Sequence, residues 1–238
     1  WVPLIDPSGV EPVSFEAPGG PSLRGWLMAP KVLGAPMVVC LHGFSMNRHE
    51  FEDIVPWLRD AGYGCLVFDF RGHGESGGDF TTVAAANEVE DARAAISLVR
   101  DRFGADVPIA VYGISMGGAV AIQVTATDQA LRAIVTDCAF AALPRVLDHA
   151  FEAWMNLPKS VFRRPVSMFA RLFTGIRVED VRPVDAAHAI AQRHGCVVVL
   201  KGAGTVVASP AANTPGSEVW PQASTSISPR ADSATVPF

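Results

Sequence analysis

At 238 residues, 49% of them apolar, and with a formal net charge of −5, the chain holds one sizeable core and excludes a disordered polyelectrolyte. Charges of both signs are scattered, with no basic run of the kind that holds nucleic acid. No apolar run approaches the ~20 residues of a membrane span, and no signal peptide is visible.

The chain opens at Trp1 rather than Met, so a removed upstream segment, an anchor included, is compatible with it. VSFEAP (13–18) and LRGWLMAP (23–30) predict a pair of antiparallel edge strands about the turn GGPS. PMVVCLHG is an apolar run of strand length ending in glycine, as in a strand buried on both faces. In NRHEFEDIVPWLRDAGY, Phe51, Ile54, Val55 and Leu58 share a helical face, and Pro56 bends or divides the helix. YGCLVFDF (63–70) predicts a second buried strand, closed by RGHGESGG.

Residues 82–103 predict a long amphipathic helix on the spacing of Val89, Ala92, Ile96 and Val99. PIAVYGIS, MGGAVAIQVTA and LRAIVTDCAF then read as strand, helix and strand. This alternation means βαβ units and a mostly parallel sheet with helices on both faces. From about 141 to 185 the pattern turns irregular and aromatic, with Phe151, Trp154, Met155, Phe162, Phe169 and Phe173 among Arg145, Arg163, Arg164 and Arg171. An insertion of this size between two strands reads as a lid. A helix (185–194) and a strand, CVVVLKG (196–202), follow.

The four cysteines, Cys40, Cys65, Cys138 and Cys196, lie in or beside apolar runs without CxxC spacing. They are expected to be reduced core thiols, in keeping with a cytoplasmic location. After Lys201 only Glu218, Arg230 and Asp232 are charged, in a proline-broken background of Ser, Thr and Ala. Residues 1–202 are therefore assigned to one α/β domain and 203–238 to a largely unstructured Ser/Ala/Pro-rich tail.

Gly113-Ile114-Ser115-Met116-Gly117 matches G-x-S-x-G, with Gly118 extending it. A serine in a strained strand-to-helix turn needs neighbours without a Cβ, because the two backbones approach closely there. The free N–H groups at the helix start favour negative charge beside the hydroxyl.

Three motifs, LHGF (41–44), FDFRGHGESGG (68–78) and YGISMGG (112–118), resemble in order and spacing those of the α/β-hydrolase family, closest to its serine aminopeptidase and monoglyceride lipase-like esterases. The likeness covers about residues 10–200. It implies an α/β-hydrolase fold, Ser115 as nucleophile, and an oxyanion hole from the backbone N–H groups of Phe44 and Met116. It implies no metal or organic cofactor, and a small-molecule ester or amide substrate whose acyl group the aromatic lid makes apolar. His42 and His73 would shape loops, with Asp69 and Arg71 fixing the second of them.

The family orders its triad as nucleophile, acid, histidine. The stretch after CVVVLKG, AGTVVASPAANTPG, holds neither aspartate nor histidine, and the family's last strand and helix have no counterpart in the tail. Asp137, ending IVTDCAF, is an alternative acid; His149, His188 and His194 are the histidines that chain order allows as base. AIAQRHGCVVVLKGAGTVVASP (189–210) resembles a segment of the ADP-dependent dehydratases that repair hydrated NAD(P)H, which fits an interrupted or chimeric chain after about residue 195. The sequence thus predicts a serine hydrolase forming an acyl-enzyme on Ser115. The alternatives are a catalytically impaired chain with a binding role and a nucleotide binder through KGAGT.

Overall fold

The structure is a computed structural model that describes residues 9–80, 86–149, 159–174, 177–194, 198–200, 205–208 and 219–220. Its main sheet has six strands: β1 (Glu11–Glu16), β2 (Ser22–Met28), β3 (Met37–Leu41), β4 (Gly64–Phe68), β5 (Ile109–Ile114) and β6 (Ala133–Asp137). They lie in the order β1-β2-β4-β3-β5-β6. The first two run antiparallel to their neighbours, and β4, β3, β5 and β6 are parallel. Strands β3 and β4 are buried at every position, the burial that continuous apolar runs demand.

Helices α2 (Ala86–Phe103) and α3 (Met116–Thr127) pack on one face, where Ile96, Val99, Val120 and Val124 meet Val39, Leu66 and Val111. The chain between β3 and β4 forms a 3-10 turn at Arg48–Phe51 and then α1 (Val55–Asp60), with Pro56 in its first turn. Proline divides the predicted helix here. Phe51 and Val55 pack on the opposite face, against Val38, Cys40 and Val67.

Two backbone bonds pinch the base of the predicted lid: Leu143 N–H donates to Val181 O at 2.9 Å and Val184 N–H to Ala141 O at 3.0 Å. Between them run α4 (Leu143–His149), α5 (Lys159–Thr174) and a 3-10 turn at Val178–Asp180. After them α6 (Pro183–His194) lies along α3, burying Val184, Ala187, Ile190 and Ala191 against Ile122 and Ala139. The lid residues Phe151, Trp154 and Met155 lie outside the described residues.

Two expectations change. The strand expected at 196–202 is β7 (Val198–Leu200), and it does not extend the parallel sheet. It pairs antiparallel with β8 (Thr205–Ala208), which pairs with β9 (Val219–Trp220), so short strands stand where an unstructured tail was read. β7 and β8 are only four residues apart in sequence, and antiparallel neighbours need no crossover helix. The rest of the tail, and the KGAG of KGAGT, lie outside the described residues.

Cys40 and Cys65 are buried as expected, but Cys138 is exposed, because it stands just past the end of an edge strand. Cys196 lies outside the described residues. Burial pushes the Cys65 thiol up to about 12 and the Cys40 thiol well above its ordinary value.

Candidate active site

Ser115 alone makes the corner between β5 and α3, with φ 50° and ψ −108°. A non-glycine residue held there costs about 1–3 kcal/mol, so its surroundings must fix it. They do so from both sides. Ser115 N–H donates to Asp137 O at 2.8 Å, and Ser115 O accepts from Ala119 N–H at 3.1 Å. A Cβ on Gly113 would overlap the backbone of Gly117, and one on Gly117 would overlap Leu41 O. The hydroxyl caps no amide of the helix below it.

The loop after β3 arrives beside this corner: a Cβ on Gly43 would lie 3.6 Å from Ser115 Cβ. Both peptide groups of Gly43 are pinned. Its N–H donates to Glu50 Oε2 at 2.7 Å. Its carbonyl accepts from the His42 ring (Nδ1, 2.7 Å) and from Met46 N–H at 3.2 Å. A trans peptide is planar, so fixing the Gly43 carbonyl fixes the Phe44 N–H in the opposite direction.

His42 has no ring nitrogen left for catalysis. Phe70 N–H donates to Nε2 at 3.0 Å, which leaves Nδ1 to carry the proton toward Gly43 O. Burial lowers its pKa to about 4, opposed by the bond to Gly43 and reinforced by His73.

The loop after β4 is held by Asp69, whose carboxylate accepts from Arg48 N–H (2.7 Å), Glu75 N–H (2.9 Å) and the Arg48 guanidinium. Arg71 ties that loop to α2 through Asp91, with Nε at 2.9 and 3.0 Å from the two carboxylate oxygens. His73 donates from Nδ1 to Arg71 O at 2.9 Å. Its ring lies 4.7 Å from Phe80, and Phe80 lies 5.0 Å from Phe44. Phe44 and Phe80 are both about half exposed, forming an aromatic rim beside the serine corner.

The remaining histidines scatter. His49 pairs with Glu52. His149 ends α4 on the surface. His188 is buried, and neither ring nitrogen finds a hydrogen-bond partner among the described residues. It lies four residues beyond Val184, which is tied to Ala141, so it sits roughly 6 Å deeper along α6. His194 is farther still: the adjacent Arg193 reaches Ala126 O, at the end of α3 opposite Ser115.

Asp137 stands at the exposed end of β6, its main chain on Ser115. Its carboxylate accepts from Cys138 Sγ at 3.2 Å and pairs with no histidine among the described residues. The structure therefore gathers Ser115, Met116, the Gly43–Phe44 peptide and Asp137, joins neither ring nitrogen of His188 to them, and leaves His194 at the far end of α3. Glu50 and Phe80 escaped the sequence reading. Asn47 and Glu50 do carry a capping-box spacing, but the Glu50 carboxylate reaches back to Gly43 instead.

A family model described as serine aminopeptidase S33 matches residues 35–194. The uncharacterised protein YfhR of Escherichia coli is 30% identical over 144 residues, 58% of this chain and 50% of its own length. Thiohydrolase aneE of Aspergillus aculeatus is 33% identical over 132 residues, 53% of this chain and 40% of its own. The chain thus spans about half the length of the curated relatives it matches. Among solved structures, esterase Pf2001 of Pyrococcus furiosus superposes with a TM-score of 0.60 at 27% identity, covering 76% of this chain and 66% of that one. With its fold, its serine corner and a family match over residues 35–194, the chain belongs to the serine aminopeptidase S33 family of α/β hydrolases.

Proposed function

We propose that the chain is a serine hydrolase acting on an ester, thioester or amide of a small molecule. The observation that carries this reading is Ser115 held at φ 50° beside a doubly pinned Gly43–Phe44 peptide. Ser115 Oγ attacks the carbonyl carbon, and its proton passes through solvent water to the departing group. The tetrahedral oxygen settles on the N–H groups of Met116 and Phe44. The bond to the leaving group breaks, and water releases the acyl group from the serine. Losing one such donor typically costs about 3 kcal/mol of barrier, so the pinning of Gly43 by His42, Met46 and Glu50 serves the rate directly. Asp137 is the acid of this scheme by position. Phe44 and Phe80 favour a substrate with an apolar acyl group. The names of similar proteins, an esterase and a thiohydrolase, support acyl transfer to water.

A second reading rests on one observation: among the described residues no histidine is bonded to Ser115 or to Asp137. In it the chain keeps the pocket for binding and turns over slowly. Hydrolysis of p-nitrophenyl butyrate by the wild-type chain and by Ser115→Ala separates the two. A working hydrolase loses roughly 10³-fold or more of kcat/KM with the serine. Equal, slow rates in both proteins would overturn the hydrolase reading and leave the binding role.

A further inference from the structure

We propose that α5 is a docking helix for an anionic lipid surface. Its sequence, KSVFRRPVSMFARLFT, carries Lys159, Arg163, Arg164 and Arg171 and no acid, within a chain whose net charge is −5. Its apolar residues recur at helical spacing, which would ordinarily put them against the protein. Here part of that face is turned outward: Met168 is 61% exposed, Phe169 52% and Leu172 72%. The body is met from another side of the helix, through Ala170 on the main core and the partly buried Ser167.

Met168 and Leu172 are four residues apart and Phe169 lies between them, so the three share one stripe. Arg164 and Arg171 are exposed, and Arg171 shares a surface hollow with Arg177, Glu179 and Asp180. This is the distribution of an interfacial helix: Phe, Leu and Met at the acyl boundary, arginines at headgroup height, low net hydrophobicity. A neutral partner protein would satisfy the apolar stripe alone; an anionic bilayer also meets the basic residues of α5, a helix that carries no acid. No helix among the described residues is long and apolar enough to cross a membrane, so the contact is peripheral. Because α5 belongs to the excursion pinched at Leu143–Val181, docking would seat that excursion on the lipid without unfolding the sheet. The inference does not depend on the serine chemistry.

The test is flotation of the full chain with phosphatidylcholine vesicles, with and without phosphatidylglycerol. Binding is expected to the phosphatidylglycerol vesicles and to fade as salt is raised. It should fall roughly five-fold for each of Arg164→Gln and Arg171→Gln, and vanish in Met168→Asp/Leu172→Asp. Leu33→Ser, at a still more exposed leucine far from α5 in sequence, should bind like the wild type. Urea midpoints check that the variants stay folded, as exposed sites predict. Absence of binding, binding indifferent to phosphatidylglycerol, or binding that survives both aspartates would overturn the proposal. So would a dimer in light scattering that Leu172→Asp converts to monomer while vesicles capture nothing, since the stripe would then face a second copy of this chain.

Discussion

Gly117 and Gly43 lie on either side of Ser115 and answer to different constraints. A methyl group on Gly117 would run into Leu41 O, which is backbone and cannot step aside. Gly117→Ala should therefore cost more than about 3 kcal/mol, read as a collapse of the thermal midpoint. On Gly43 the same methyl would sit 3.4 Å from Glu50 Oε1 and 3.6 Å from Ser115 Cβ, ordinary contact distances. Gly43→Ala should fold normally and lower kcat, because the new group crowds the serine. Comparable instability in the two variants would contradict that distinction.

His42 adds a pH dependence. Its pKa is about 4 folded against 6.5 unfolded, so above pH 6.5 it is neutral in both states. As pH falls from there toward about 4, the unfolded chain takes up a proton that the folded chain refuses, and stability drops by up to about 3 kcal/mol. Urea unfolding at descending pH should show that loss, and His42→Gln should flatten the slope. The serine corner was legible from glycine spacing alone. The pinning by Glu50 was not, since a capping-box spacing does not say which amide its carboxylate will take.

Strand β6 shows what an open edge does to an element. Among the described residues it pairs only with β5, and its burial alternates between exposed and intermediate. Val135 is 55% exposed. With Val38, Ala110, Tyr112 and Ala133, and with Ile54 and Leu58 near α1 opposite, it lines an apolar groove of about 600 Å³. Edge strands with such surface invite pairing between chains. Val135→Lys should leave the unfolding free energy within about 0.5 kcal/mol of the wild type and reduce light scattering at high concentration; a large stability loss would mean the groove is filled in solution. Periodicity located β6, as it located β3, β4 and β5, because apolar runs of strand length are local signals. It gave no sign that Cys138 would be exposed, since burial at an edge depends on what covers it. For the same reason α5 was legible as aromatic and basic, while the direction its apolar stripe faces was not.

At the scale of the molecule, the parallel sheet and its helices follow from the alternation of runs and from three motifs at its carboxyl edge. That edge collects Ser115, the Gly43–Phe44 peptide and Asp137, because every parallel strand delivers its following loop to one side. The sequence failed at CVVVLKG, where an equally apolar strand joins a local antiparallel sheet and not the main one. Strand propensity fixes extended backbone; the choice of partner belongs to connection length and to competing edges. The decisive property is chemical: on the proposed function, the fold activates the serine it strains. Intact-mass analysis after brief exposure to a fluorophosphonate probe tests it most directly, with peptide mapping and Ser115→Ala alongside. One phosphonyl adduct on Ser115, absent from the variant, is the predicted result. Folded wild-type protein that takes up no probe, or takes it elsewhere, would contradict it.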